Sequence, residues 1–113
     1  MYEEVGTAQF KKDVKKLKKQ HRDLNKLSTV IEMLKNGQTL DIEYKDHVLL
    51  GEYKNCRECH IEPDWLLIYV INKNKSILYT LRTGSHSELF KEDIIINISQ
   101  LNKQLNEILN DIE

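Results

Sequence analysis

Five side chains in the second half of the sequence are of the kinds that move protons or hold the groups that do: His47, His60, Asp64, Arg82 and His86. An imidazole titrates near neutrality, at about pH 6.5, so it both accepts and returns a proton under physiological conditions. A carboxylate orients such a ring or takes the proton itself, and a guanidinium adds a fixed positive charge. His60 and Asp64 stand four residues apart, which puts them on one face of an extended backbone, with Pro63 bending the interval. If the apolar runs Trp65–Ile71 and Ile77–Arg82 pair as a hairpin, Asp64 and Arg82 meet near one end of the sheet, and His86 arrives there after Thr83-Gly84-Ser85. Taken singly, each residue is ordinary: a strand-end histidine is usually a half-buried hydrogen bonder, and an Asp–Arg pair is usually structural. The set together points to acid–base chemistry. His21, in a lysine-rich segment, reads as surface.

The same region contains Cys56, Cys59 and His60 in the spacing C-x-x-C-H, the spelling of covalent haem attachment. Side chains alternate along a strand, so Cys56 and Cys59 are expected on opposite faces, unable to grip one metal or two vinyl groups. A zinc site needs four ligands, and the second C-x-x-C of a zinc ribbon is absent. A thioredoxin-like motif opens a helix, whereas apolar strand sequence follows here. The expectation is no metal and no cofactor, with a Cys/His metal-binding module as a competing reading.

The 113 residues, 40% apolar and 31% charged, have the make-up of one globular domain rather than of a disordered or membrane-spanning chain. The longest apolar run, Trp65–Ile71, is far too short to cross a bilayer. "MYEEVGTAQF" has neither the basic start nor the apolar stretch of a secretory signal, so a cytoplasmic location is expected. The net charge of -1 hides an uneven distribution. Between Phe10 and Lys26 lie Lys11, Lys12, Lys15, Lys16, Lys18, Lys19, Arg22 and Lys26 against only Asp13 and Asp23, while acidic residues gather toward the end. One face is therefore suited to a polyanion.

The elements that must carry these residues follow from periodicity. After a candidate edge strand at Tyr2–Val5, Thr7 is placed to cap a helix running to about Gln20. Phe10, Val14 and Leu17 give it one narrow buried stripe, with the lysines outward. Leu24, Leu27, Val30, Ile31 and Leu34 repeat the helical period, and Gly37 stops it. Residues 38–46 are polar and irregular. Strand candidates follow at Val48–Tyr53 continuing toward Ile61, at Trp65–Ile71 and at Ile77–Arg82. The middle one is apolar throughout, as befits a central strand covered on both faces, and Asn72–Ser76 is a short polar hairpin loop. Ser85 or Ser87 can cap what comes next. Finally Ile94, Ile98, Leu101, Leu105, Ile108 and Ile112 form a heptad seam. It predicts an amphipathic helix that packs on its own domain or pairs with a second copy or another protein.

"YKDHVLLGEYKNCRECHIEPDWLLIY" followed by "LRTGSHSELF" resembles the YafQ branch of the RelE/ParE superfamily, the ribosome-dependent mRNA interferase toxins of bacterial type II toxin–antitoxin pairs. The likeness runs from Tyr2 to about Phe90 and is densest in D-H, R-x-x-H-x-x-P-D-W and R-T-G-[ST]-H-x-x-L-F. It implies an α+β, RelE-like fold: a small twisted antiparallel sheet of about four strands faced by an N-terminal helical hairpin. Residues 1–90 would be the toxin domain, and 91–113 a C-terminal amphipathic helical extension of it. By position, the implied catalytic residues are His86, Asp64, His60, His47 and Arg82, with Trp65 and Phe90 beside the RNA. The lysines Lys11, Lys12, Lys15, Lys16, Lys18 and Lys19 would face ribosomal RNA.

The implied reaction is cleavage of messenger RNA in the ribosomal A site by attack of a ribose 2′-OH on the adjacent phosphate. His86 would be the principal acid, His47, His60 and Asp64 would supply or orient the base, and Arg82 would stabilise the phosphate. The implied partners are the small ribosomal subunit with its message, a DinJ/RelB-like antitoxin, and a second copy through the C-terminal helix, without a membrane. A RelE/ParE-fold protein acting by binding alone, on gyrase for example, would have no use for this set of side chains.

Overall fold

The computed structural model describes residues 1–49 and 56–90. β1 (Glu3–Gly6) leads into α1 (Ala8–Lys19) and α2 (Leu24–Lys35), and a 3-10 turn at Ile42–Tyr44 precedes β2 (His47–Val48). β3 (Arg57–Glu62), β4 (Trp65–Asn72), β5 (Ile77–Gly84) and a short α3 (His86–Leu89) complete the described chain. The single strand expected from Val48–Tyr53 on toward Ile61 is instead two, β2 and β3, which run antiparallel because the chain reverses between them; residues 50–55 lie outside the described part, as does the helix expected over 91–113.

The five strands form one sheet in the order β1-β5-β4-β3-β2. β4 lies at its centre and is buried on both faces, which explains why it is apolar almost without interruption. On one face Cys59, Ile61, Trp65, Leu67, Tyr69 and Leu78 meet the helical layer, chiefly Phe10, Leu17, Leu27, Val30 and Leu34. On the other face Cys56, Leu66, Ile68, Val70 and Leu81 are joined by Leu89 of α3. Cys56 and Cys59 thus fall on opposite faces, as strand alternation predicts. Burial pushes both thiols up to about 12, so neither is a thiolate at neutral pH.

The sheet has one strand more than the four expected, and it is mixed. β1 runs parallel to β5, from Glu3 opposite Ile77 to Gly6 opposite Thr80. Parallel neighbours need a long connection, and here nearly the whole domain supplies it. Thr7 then ends the strand and starts the helix. Its N–H donates to Thr80 O at 3.0 Å, and its hydroxyl donates to Leu81 O at 2.8 Å while accepting from Phe10 N at 3.0 Å. Asp23 caps α2 through Asn25 N at 3.0 Å. Gly37, at φ +71, takes the left-handed position that closes α2.

Two irregularities shape the site. β2 pairs with β3 only at His47–Glu58 and Val48–Arg57, so among the described residues nothing pairs with the outer edge of β3 beyond Glu58. The register also shifts between His60 and Glu62, just before the Pro63-Asp64 turn.

Candidate active site

His47 lies directly across from Glu58, and His60 stands two residues farther along β3 on the same face. The two imidazole rings are 6.5 Å apart between centroids. Glu58 lies between them, with Oε1 3.9 Å from His47 Nε2 and 3.6 Å from His60 Nε2. Its carboxylate is almost wholly buried, at 6% exposure. The opposite ring nitrogens face backbone carbonyls: His47 Nδ1 is 2.6 Å from Lys45 O, and His60 Nδ1 is 3.3 Å from Pro63 O. A carbonyl oxygen only accepts, so each neutral ring carries its hydrogen on Nδ1 and leaves Nε2 as the proton-accepting nitrogen. A proton taken up at either Nε2 lies beside the Glu58 carboxylate. Lys45 is held in the left-handed region at φ 49, two residues before His47.

His86 approaches from the end of β5. His60 pairs with Leu66 and Leu66 with Gly84, so one cross-strand row links β3 to the end of β5 over two strand spacings, roughly 10 Å. Ser85 then caps α3, and His86 is its first residue. The Ser85 hydroxyl accepts from Glu88 N at 3.2 Å and donates to Glu88 Oε1 at 2.8 Å, while Lys16 of α1 grips the other Glu88 oxygen at 2.5 Å. Burial raises the Glu88 carboxyl, but the bonds from Lys16 and Ser85 outweigh it and hold the group down at about 2. Leu89 is buried beneath this turn. The His86 N–H donates to Asp64 Oδ1 at 3.4 Å, and its ring packs 4.7 Å from that of Phe90, which is 40% exposed.

Arg82 does not meet Asp64. It lies opposite Ile68 at a shift in the β4–β5 register, while Asp64 sits in the turn beyond the ladder. Its guanidinium makes a two-point pair with Asp13 of α1, Nε to Oδ2 at 3.0 Å and a terminal nitrogen to Oδ1 at 2.9 Å. Asp13 Oδ2 also accepts from Thr83 N at 3.1 Å, and both charged partners are buried. The fixed charge expected at the phosphate therefore ties α1 to β5. Trp65 differs from expectation in a similar way. It is fully buried, its Nε1 donates to Thr83 Oγ1 at 2.9 Å, and the Arg22 guanidinium lies 5.7 Å from its ring centroid. It supports the site from beneath and offers no face to a base.

A sequence profile described as a bacterial toxin of type II toxin-antitoxin system, YafQ, matches residues 2–91. The chain belongs to the YafQ toxin family. The mRNA interferase toxin YafQ of Escherichia coli K12 is 44% identical to it over 85 residues, covering 74% of this chain and 90% of that protein. The crystal structure of YafQ from E. coli BL21(DE3) aligns with a TM-score of 0.74 at 40% identity, covering 80% of this chain and 99% of that one. A crystal structure of the E. coli DinJ-YafQ complex aligns at 0.72 and 41% identity, with 80% and 99% covered. The α+β architecture is thus that of the YafQ family.

In this YafQ-family chain, Lys11, Lys12, Lys15, Lys18 and Lys19 are exposed on α1, whereas Lys16 is engaged by Glu88. Among the described residues no three His, Cys, Asp or Glu side chains are grouped to hold a metal ion, and no helix is long and apolar enough to cross a membrane. Glu58 was not among the expected site residues. Its signal was present all the same, since it is an acid two residues before His60 and so on the same strand face.

Proposed function

We propose that this chain is the message-cutting toxin of a type II toxin–antitoxin pair, acting on mRNA held in the ribosomal A site. The observation that carries this is the buried Glu58 carboxylate shared by two imidazoles whose Nε2 atoms are left to accept protons. In the proposed step, Nε2 of His47 or His60 takes the proton of a ribose 2′-OH. The 2′-oxygen bonds to the adjacent phosphorus, the bond from phosphorus to the 5′-oxygen breaks, and His86 gives that oxygen a proton. The products are a 2′,3′-cyclic phosphate and a 5′-hydroxyl. Base and acid on separate elements at the two sides of the site suit an in-line displacement. Proton transfer of this kind contributes about 10²- to 10⁴-fold each, and the imidazolium of His86 adds positive charge where the phosphorane forms.

Asp64 positions the His86 segment through its N–H, and Phe90 stacks beside His86 against a base of the message. The exposed α1 lysines contact ribosomal RNA phosphates, which makes binding salt-sensitive. The likeness to YafQ in its DinJ complex supports neutralisation by a DinJ/RelB-like antitoxin. The test is induction of the wild-type chain and of His86→Gln and Asp64→Ala, with growth and the integrity of ribosome-bound messages followed together. Wild type should arrest growth and cut messages, and His86→Gln should lose about 10²-fold or more of the cutting. Arrest of translation with messages left whole would sink the nuclease reading.

A further inference from the structure

We propose that the recess between α2, the Ile42–Tyr44 turn and the outer edge of β3 seats a nucleobase of the message next to the cut, so that it helps choose where cutting occurs. The inference rests on the nuclease reading above and extends it to sequence choice. The recess encloses about 470 Å³, with Lys26 and Thr29 from α2, Glu43 and Tyr44 from the turn, and His60 and Ile61 from β3 among its walls. It exists because β2 begins only at His47, opposite Glu58, and the chain before it forms the Ile42–Tyr44 turn, so that edge of β3 is left without a strand among the described residues. His60 belongs both to this wall and to the Glu58 cluster, so a ribose whose 2′-OH meets His60 has a neighbouring base within reach of the recess.

The charge pattern favours a base over a phosphate. Glu62 neutralises the cations at its rim, with Lys26 Nζ at 2.6 Å and an Arg22 guanidinium nitrogen at 3.1 Å, and these bonds hold its carboxyl below the usual range. Glu43 adds a further acid to walls that also hold Lys45. A phosphate needs an excess of positive charge, whereas a base edge needs donors and acceptors in balance, with flat or apolar surface beside them. Half-buried Tyr44, with Ile61 and Pro63, supplies that surface.

The test uses the full chain in a translating extract, with reporter messages that vary one nucleotide at a time around the cut and with mapping of fragment ends. Thr29→Phe fills the recess and Glu43→Lys reverses one wall charge, both from exposed positions. The ratio of cutting between favoured and disfavoured sites should fall about tenfold, the weight of one seated base. Unchanged ratios in both variants overturn the proposal and leave the nuclease reading standing. No cutting by wild type overturns both. Unchanged ratios with weakened binding of a co-expressed antitoxin would assign the recess to a protein segment, and that too overturns the nucleobase.

Discussion

Two buried carboxylates, Glu58 and Asp13, lie on opposite sides of the same small domain and serve different ends. Asp13 is matched to Arg82, a partner that never gives up its charge, and a backbone N–H completes its shell. Glu58 faces two imidazoles, side chains able to gain or lose a proton, at distances of 3.6 and 3.9 Å. Similar burial therefore produces a permanent clamp in one place and a responsive pair in the other. The nature of the partner decides which.

The clamp is the more easily disrupted of the two sites. Asp13→Ala leaves the Arg82 guanidinium buried without its counter-charge, which should cost about 3–5 kcal/mol. Each kcal/mol lowers the melting midpoint of a domain this size by about 4–8 °C, so calorimetry reads it directly. Asp13→Ala combined with Arg82→Met should be less destabilised than Asp13→Ala alone, because no charge is then stranded. At the responsive site the order reverses. Glu58→Gln should reduce message cutting on the order of a hundredfold, the low end of a general base's contribution, with a much smaller change in melting temperature. A melting loss as large as that of Asp13→Ala would show that Glu58 is a clamp as well.

A smaller effect belongs to Glu88, which joins α1 to the His86 segment. Its folded carboxyl sits at about 2, below the usual value of 4.5. Its contribution is thus fully present above about pH 4.5 and is lost as the pH falls toward 2. The exposure of Lys16 keeps the pair to under about 1 kcal/mol. Glu88→Gln, which retains the Ser85 cap, should flatten the loss of stability across that acid window in urea unfolding. The smallest change is expected for Cys56→Ala and Cys59→Ala, whose un-ionised, buried thiols lie outside the proposed chemistry. Cutting rates should match wild type once any loss of folded protein is corrected for.

Much of this was legible before any coordinates. Thr7 as a cap, Gly37 as a stop, the apolar run of β4 and the opposite faces of Cys56 and Cys59 all follow from local periodicity. Other features needed long-range partners. β1 could be read only as a candidate edge strand, because its parallel partner β5 lies far along the chain. Asp13 sits three residues after Phe10 and four before Leu17, on the buried stripe of α1, yet the sequence alone names no cation for it. Glu58 carried a two-residue alternation with His60, but without the β2–β3 register nothing placed His47 across from it.

The amino-acid order by itself determined the elements, the family and the set of imidazoles, because caps, periods and motif spacing act over a few residues. Only the tertiary structure decided which partner each of these side chains takes. Arg82 went to Asp13 and Trp65 to Thr83, while His47 and His60 kept Nε2 open beside Glu58. That choice depends on strand register and on which side chains share a buried volume, and neither is written in local spacing.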